Sequence, residues 1–141
     1  MNTRLMRIDY AERLLDIYIQ SVINILDSNF GVDRAENTMF DAIGLLKDYS
    51  ELKPVFLRKV VNTFAIRSRD AFDCNTVPEE FIELCAHELR WPEFLELARD
   101  RVKTFFHDDI ALAVGDVSNS IRDAYSDEWE DREFYRHYMQ D

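Results

Sequence analysis

The sequence predicts an all-α fold, a single-domain bundle of about seven antiparallel helices spanning residues 1–141. Three observations carry this expectation. Apolar residues recur three and four positions apart through most of the chain, the spacing of helix faces rather than of strands. Only three Gly and three Pro occur, and several stand where a helix would start or stop. The stretches left between periodic segments are short, which makes successive helices antiparallel neighbours. With 47% apolar and 13% aromatic residues, the chain can bury one sizeable core, and disordered or low-complexity classes are excluded.

The first helix is expected over residues 5–29. Ile8, Ala11, Leu15, Tyr18, Val22 and Ile25 form its stripe, and Leu14, Ile17, Ile19, Ile23 and Leu26 widen that stripe until the helix should be surrounded on several sides. Gly31 can adopt the left-handed backbone that closes it. Asp33 and Glu36 have capping-box spacing and open a second helix over 34–49. Pro54 belongs in the first turn of a third, basic helix over 53–70, with Lys53, Arg58, Lys59, Arg67 and Arg69.

Thr76 and Glu79, with Pro78 between them, start a fourth helix over 77–90, and Trp91-Pro92 breaks it because the residue before proline is pushed out of helical space. A fifth helix runs over 92–106 and a sixth over 109–125, capped by Asp108 or Asp109. Ser126 caps a seventh over 127–139. Segments 78–84 and 92–97 are alike, each a proline followed by glutamates and an apolar pair, which suggests layered helical hairpins. The arrangement is HEAT-like by analogy only.

Charge bears most directly on function. Seventeen basic against 28 acidic residues give a net charge of −11, so a phosphate-binding surface would oppose the protein's own field and direct nucleic-acid binding is not expected. Residues 1–72 carry ten of each sign, whereas 73–141 carry seven basic and eighteen acidic side chains. Thirteen of the cations are Arg, which favours bidentate carboxylate pairing. The first residues do not resemble a secretory signal, and no apolar run is long enough to span a membrane. Cys74 and Cys85 lack CxxC spacing and read as buried or free thiols, in keeping with a cytoplasmic protein.

Several chemistries have no footing. Gly31, Gly44 and Gly115 are isolated, so no phosphate-cradling loop is present, and no G-x-S-x-G string exists for a nucleophile elbow. Glu83/His87 and Glu133/His137 stand four apart, but each pair offers two ligands at most. A zincin or di-iron site needs more, so both read as solvent-facing contacts and no metal or cofactor is expected. His107 beside Asp108 and Asp109 fits a helix junction better than an acid–base pair.

What remains is a surface. Glu79, Glu80, Glu83, Glu93, Glu96, Asp127, Glu128, Glu130 and Asp131 supply carboxylates, and Trp91 and Trp129 supply anchors of the kind that dominate interfaces. These partner-binding candidates point to a non-enzymatic, immunity- or antitoxin-like inhibitor that occludes a basic protein. The alternative is a helical adaptor or complex subunit, homodimeric through the first helix.

Overall fold

The three-and-four periodicity is realised as helix. The computed structural model describes residues 6–28, 31–65, 76–126 and 129–139, without the side chains of Glu130 and Met139. Among them are seven α-helices and no strand: α1 Ile8–Asp27, α2 Val32–Asp48, α3 Lys53–Phe64, α4 Glu79–Leu89, α5 Pro92–Phe106, α6 Val117–Ala124 and α7 Arg136–Met139. Short 3₁₀ turns cover Ser50–Leu52, Ile110–Ala113 and Glu130–Phe134. The chain is thus an all-α helical bundle. It divides into two compact units, Met1–Lys59 with Glu130–Asp141 (unit 1) and Val60–Trp129 (unit 2), the boundary falling inside α3.

In unit 1, α1 packs on α2. Ala11, Leu15, Ile19 and Val22 of α1 are buried, as are Ala35, Met39, Ala42, Ile43 and Leu46 of α2. Their summed apolar area is the main stabilising term available to the pair. The added apolar positions of α1 do not enclose it, because Ile17 is 59% exposed and Tyr10 is also exposed. Lys59 reaches back from α3 to Asp16 at 3.3 Å.

Gly31 does take a left-handed conformation (φ +75°), but it serves the start of α2 as its N-cap, while α1 has already ended at Ser28. The hydroxyl of Ser28 donates to the Asn24 carbonyl at 2.8 Å, satisfying one acceptor of the last turn. Because α2 begins at Val32, Asp33 lies inside its first turn and the expected capping box is not made. Glu36 is instead 7% exposed. Its Oε1 accepts the amide of Arg136 at 2.9 Å and its Oε2 that of His137 at 3.0 Å, so it supplies partners to the otherwise unsatisfied amides at the start of α7.

Phe40, one turn along α2 from Glu36, stacks on the His137 ring (centroids 4.1 Å apart) and meets Tyr135 and Tyr138 edge-on. The expected continuous helix over 127–139 is therefore a 3₁₀ turn followed by one turn of α-helix, docked through a carboxylate and an aromatic cluster.

In unit 2, α6 packs on both α4 and α5. The helix expected over 109–125 is broken, since Ile110–Ala113 form a 3₁₀ turn and Gly115 has φ +89°. Asp116 rather than Asp108 or Asp109 caps α6, accepting the Ser118 amide at 3.0 Å. Ile110 and Val114, expected on the buried stripe, are exposed as a result.

Arg101 of α5 binds Asp116 bidentately, Nε to Oδ2 and Nη2 to Oδ1 both at 2.9 Å, and its Nη1 donates to the Phe64 carbonyl at 2.6 Å. One guanidinium thereby joins α5, the start of α6 and the last turn of α3. Burial opposes ionisation of Asp116, but the hydrogen bonds from Arg101 and Ser118 outweigh it and hold the carboxyl below its ordinary value. The rest of the helix expected to 70 lies outside the described residues beyond 65, Arg67 and Arg69 included.

Candidate functional site

The acidic candidates on α4 begin at its first turn. Pro78 is the N-cap residue, and Glu79 and Glu80 follow it, where carboxylates complement the positive end of the helix. Thr76, the expected cap, is buried two residues before Pro78, the N-cap residue of α4. One turn further on, Glu83 is half-buried and its Oε1 accepts the Trp129 indole N–H at 2.7 Å.

Trp129 itself is 4% exposed, and its ring lies 4.6 Å from that of His87. A partner could reach this indole only by displacing it. His87 is not the solvent-facing residue expected from its spacing. It is 8% exposed, and its Nδ1–H donates to the Ala124 carbonyl at 2.7 Å, tying α4 to the end of α6. In unit 1, Glu133 and His137 are both exposed, as their spacing predicts, although the His137 ring stacks on Phe40 and its amide is held by Glu36.

The corner between α4 and α5 is built on backbone conformation. Arg90 closes α4 in the left-handed region (φ +52°), and Pro92 is the first residue of α5, where its missing N–H costs nothing. Arg90 Nη1 donates to the Tyr125 carbonyl at 2.6 Å, and its guanidinium lies over the Tyr125 ring. The Tyr125 hydroxyl donates in turn to the Trp91 carbonyl. Burial raises the Tyr125 phenol to about 12, with Arg90 opposing the shift and Glu93 adding to it. Trp91 is half-buried and stacks on Phe94 with ring centroids 5.5 Å apart. It holds the corner while keeping part of its ring accessible.

Along α5 the carboxylates fall into line. Glu93, Glu96 and Asp100 succeed one another at three and four residues, so they share a face. Glu93 is half-buried beside Tyr125, and Glu96 and Asp100 are exposed. Asp100 was absent from the sequence candidates, although its position one turn beyond Glu96 is the signal that would have found it. Asp127 and Glu128 lie outside the described residues, as does the Glu130 side chain. Asp131 is half-buried in the 3₁₀ turn of unit 1. The candidates are thus divided: Glu79, Glu80, Glu83, Trp91, Glu93, Glu96 and Trp129 belong to unit 2, and Asp131 to unit 1.

The remaining reactive side chains are quiet. His107 closes α5 with φ +51°, and Asp109 accepts the Ala111 amide at 3.0 Å, capping the 3₁₀ turn. Cys85 is a buried free thiol. Burial, and secondarily the charge of Glu88, push its pKa well above the usual value, so little reactive thiolate forms. Cys74 lies outside the described residues. Among the described residues no three His, Cys, Asp or Glu side chains group so as to hold a metal ion, and no helix is long and apolar enough to cross a membrane. No protein-family model matches the chain, and neither a curated protein nor a solved structure does.

Proposed function

We propose that the protein is a non-enzymatic, cytoplasmic protein-binding module, a small acidic inhibitor of immunity or antitoxin type that occludes a basic partner. The carrying observation is the carboxylate ridge of α5, where Glu96 and Asp100 are exposed and make no ion pair or hydrogen bond through their side chains among the described residues. The ridge stands in a unit with fifteen acidic against seven basic side chains, whereas unit 1 has thirteen against ten. Such a surface accelerates encounter with a cationic target and selects against anionic ones. Trp91 adds a partly accessible aromatic beside the ridge's first carboxylate.

The test is affinity capture from native cells followed by a titration with the captured partner. A stoichiometric basic protein is expected, with affinity falling at least tenfold as salt rises from about 0.05 to 0.5 M and at least tenfold in Glu96→Lys/Asp100→Lys. Recovery of the protein alone, or a partner indifferent to both changes, would overturn the reading.

Exposed Tyr10 and Ile17, seven residues apart on α1, favour the adaptor or homodimer as a second reading. Under it, association would be nearly insensitive to salt and abolished by Ile17→Lys.

A further inference from the structure

We propose that unit 2 binds a small organic monocarboxylate with a compact apolar body, in the cleft between α5, α6 and the segment that joins them. The cleft has a volume of about 260 Å³ and is lined by Leu95, Arg99, Val102, Asp108, Ile110 and Arg122. That volume lies just below the range of pockets for drug-sized ligands, so it suits only a compact small molecule. Leu95, Arg99 and Val102 follow one another at four and three residues along one side of α5, Arg122 comes from α6, and Asp108 and Ile110 from the connection. The lining therefore combines an apolar wall with two arginines, whose long side chains can bring their guanidinium groups to a ligand seated there.

Those two cations are out of keeping with their surroundings. Unit 2 is strongly acidic, and its other described arginines are occupied: Arg101 is buried on Asp116, and Arg90 is held at the Tyr125 carbonyl. Arg99 and Arg122, by contrast, make no side-chain hydrogen bond or ion pair among the described residues, although Asp108 lines the same cleft. Two guanidinium forks beside aliphatic side chains suit a carboxylate whose body can lie against Leu95, Val102 and Ile110. The cleft's formal charge is +1, two arginines against Asp108, which matches a monoanion and disfavours phosphate dianions.

The connection is shaped in a way that places its two lining residues. His107 and Asp108 are consecutive non-glycine residues in the left-handed region, at φ +51° and +64°, a conformation that L side chains rarely adopt. The Asp108 amide bonds to the Val102 carbonyl at 3.3 Å and the Asp109 amide to Phe106 at 2.8 Å, which fixes this reversal over the end of α5. Ile110 stays half-exposed at the cleft, where a bound apolar body would cover it.

The experiment is an amide NMR titration of the full chain with hexanoate, and with hexanamide and inorganic phosphate as controls. Hexanoate is expected to give saturable shifts centred on Leu95, Arg99, Val102, Asp108, Ile110 and Arg122, with hexanamide and phosphate at least tenfold weaker. Arg99→Gln/Arg122→Gln should weaken hexanoate at least tenfold, whereas Lys103→Gln, elsewhere on α5, should leave it unchanged. Both arginines are exposed, so the double variant keeps its fold, and a circular dichroism spectrum and melting point matching the parent check this. Shifts that fail to saturate or scatter beyond the cleft, equal binding of hexanamide, or full affinity in the double variant would overturn the proposal.

Discussion

In unit 1 Glu36 gives its two oxygens to backbone amides a hundred and more residues away, whereas in unit 2 Asp116 gives its two oxygens to a guanidinium and to the start of its own helix. Both carboxylates fasten one stretch of chain to another, but what is left behind when the fastening fails is different. Amides released from Glu36 belong to the one-turn helix α7, where Arg136 and His137 are exposed, and can turn to water. Arg101 is 8% exposed and sits among α3, α5 and α6, so without Asp116 its charge has nowhere to go. The comparison teaches that the ionic tie constrains its unit more strictly, although the amide tie spans more sequence.

The largest effect that could break this contrast is expected at the ionic tie. Asp116→Leu leaves the buried Arg101 guanidinium without its carboxylate and should cost about 3–5 kcal/mol in chemical denaturation, while Arg101→Leu/Asp116→Leu should recover part of that loss. A single variant as stable as the parent would show that the pair contributes nothing. Next in size, Glu36→Ala should cost about 1–3 kcal/mol. Hydrogen exchange should accelerate at Arg136 and His137 while α4 and α5 keep their protection. Loss of protection throughout the chain would erase the distinction between the two ties.

Acid gives the smallest and sharpest test. The Asp116 carboxyl is depressed in the folded state, so its contribution is fully present above the unfolded value near 3.8 and is lost as pH falls below that through the folded value. The contribution should shrink in the stability profile of Arg101→Leu, where only the Ser118 bonds remain, and survive in full in that of Glu36→Ala. Parallel acid profiles for all three chains would assign the sensitivity to other carboxylates.

How much of this was legible depended on whether a decisive contact was local. The bounds of α5 follow from Pro92 and an amphipathic stripe, both read within a few residues. The helix expected over 109–125 failed locally too, since Gly115 and Asp116 together mark a break and a new cap, but apolar periodicity masked them. Glu36 could not be read correctly, because its capping-box spacing describes a nearby partner and its real partners lie at the other end of the chain.

The acidic ridge of α5 was half visible, as Glu93 and Glu96, because charge and spacing are sequence properties. The burial of Trp129 was not, since it depends on where His87 and Glu83 of α4 meet the chain after α6. The cleft was invisible for the same reason. Its lining is assembled from two helices and a connection that periodicity alone assigns to a helix.

The sealed thiol of Cys85 turns unit 2 into its own timekeeper. With Cys74 replaced by serine, an alkylating reagent would find sulfur only during moments when α4 lifts from its packing, so the pace of modification would record how often those moments come.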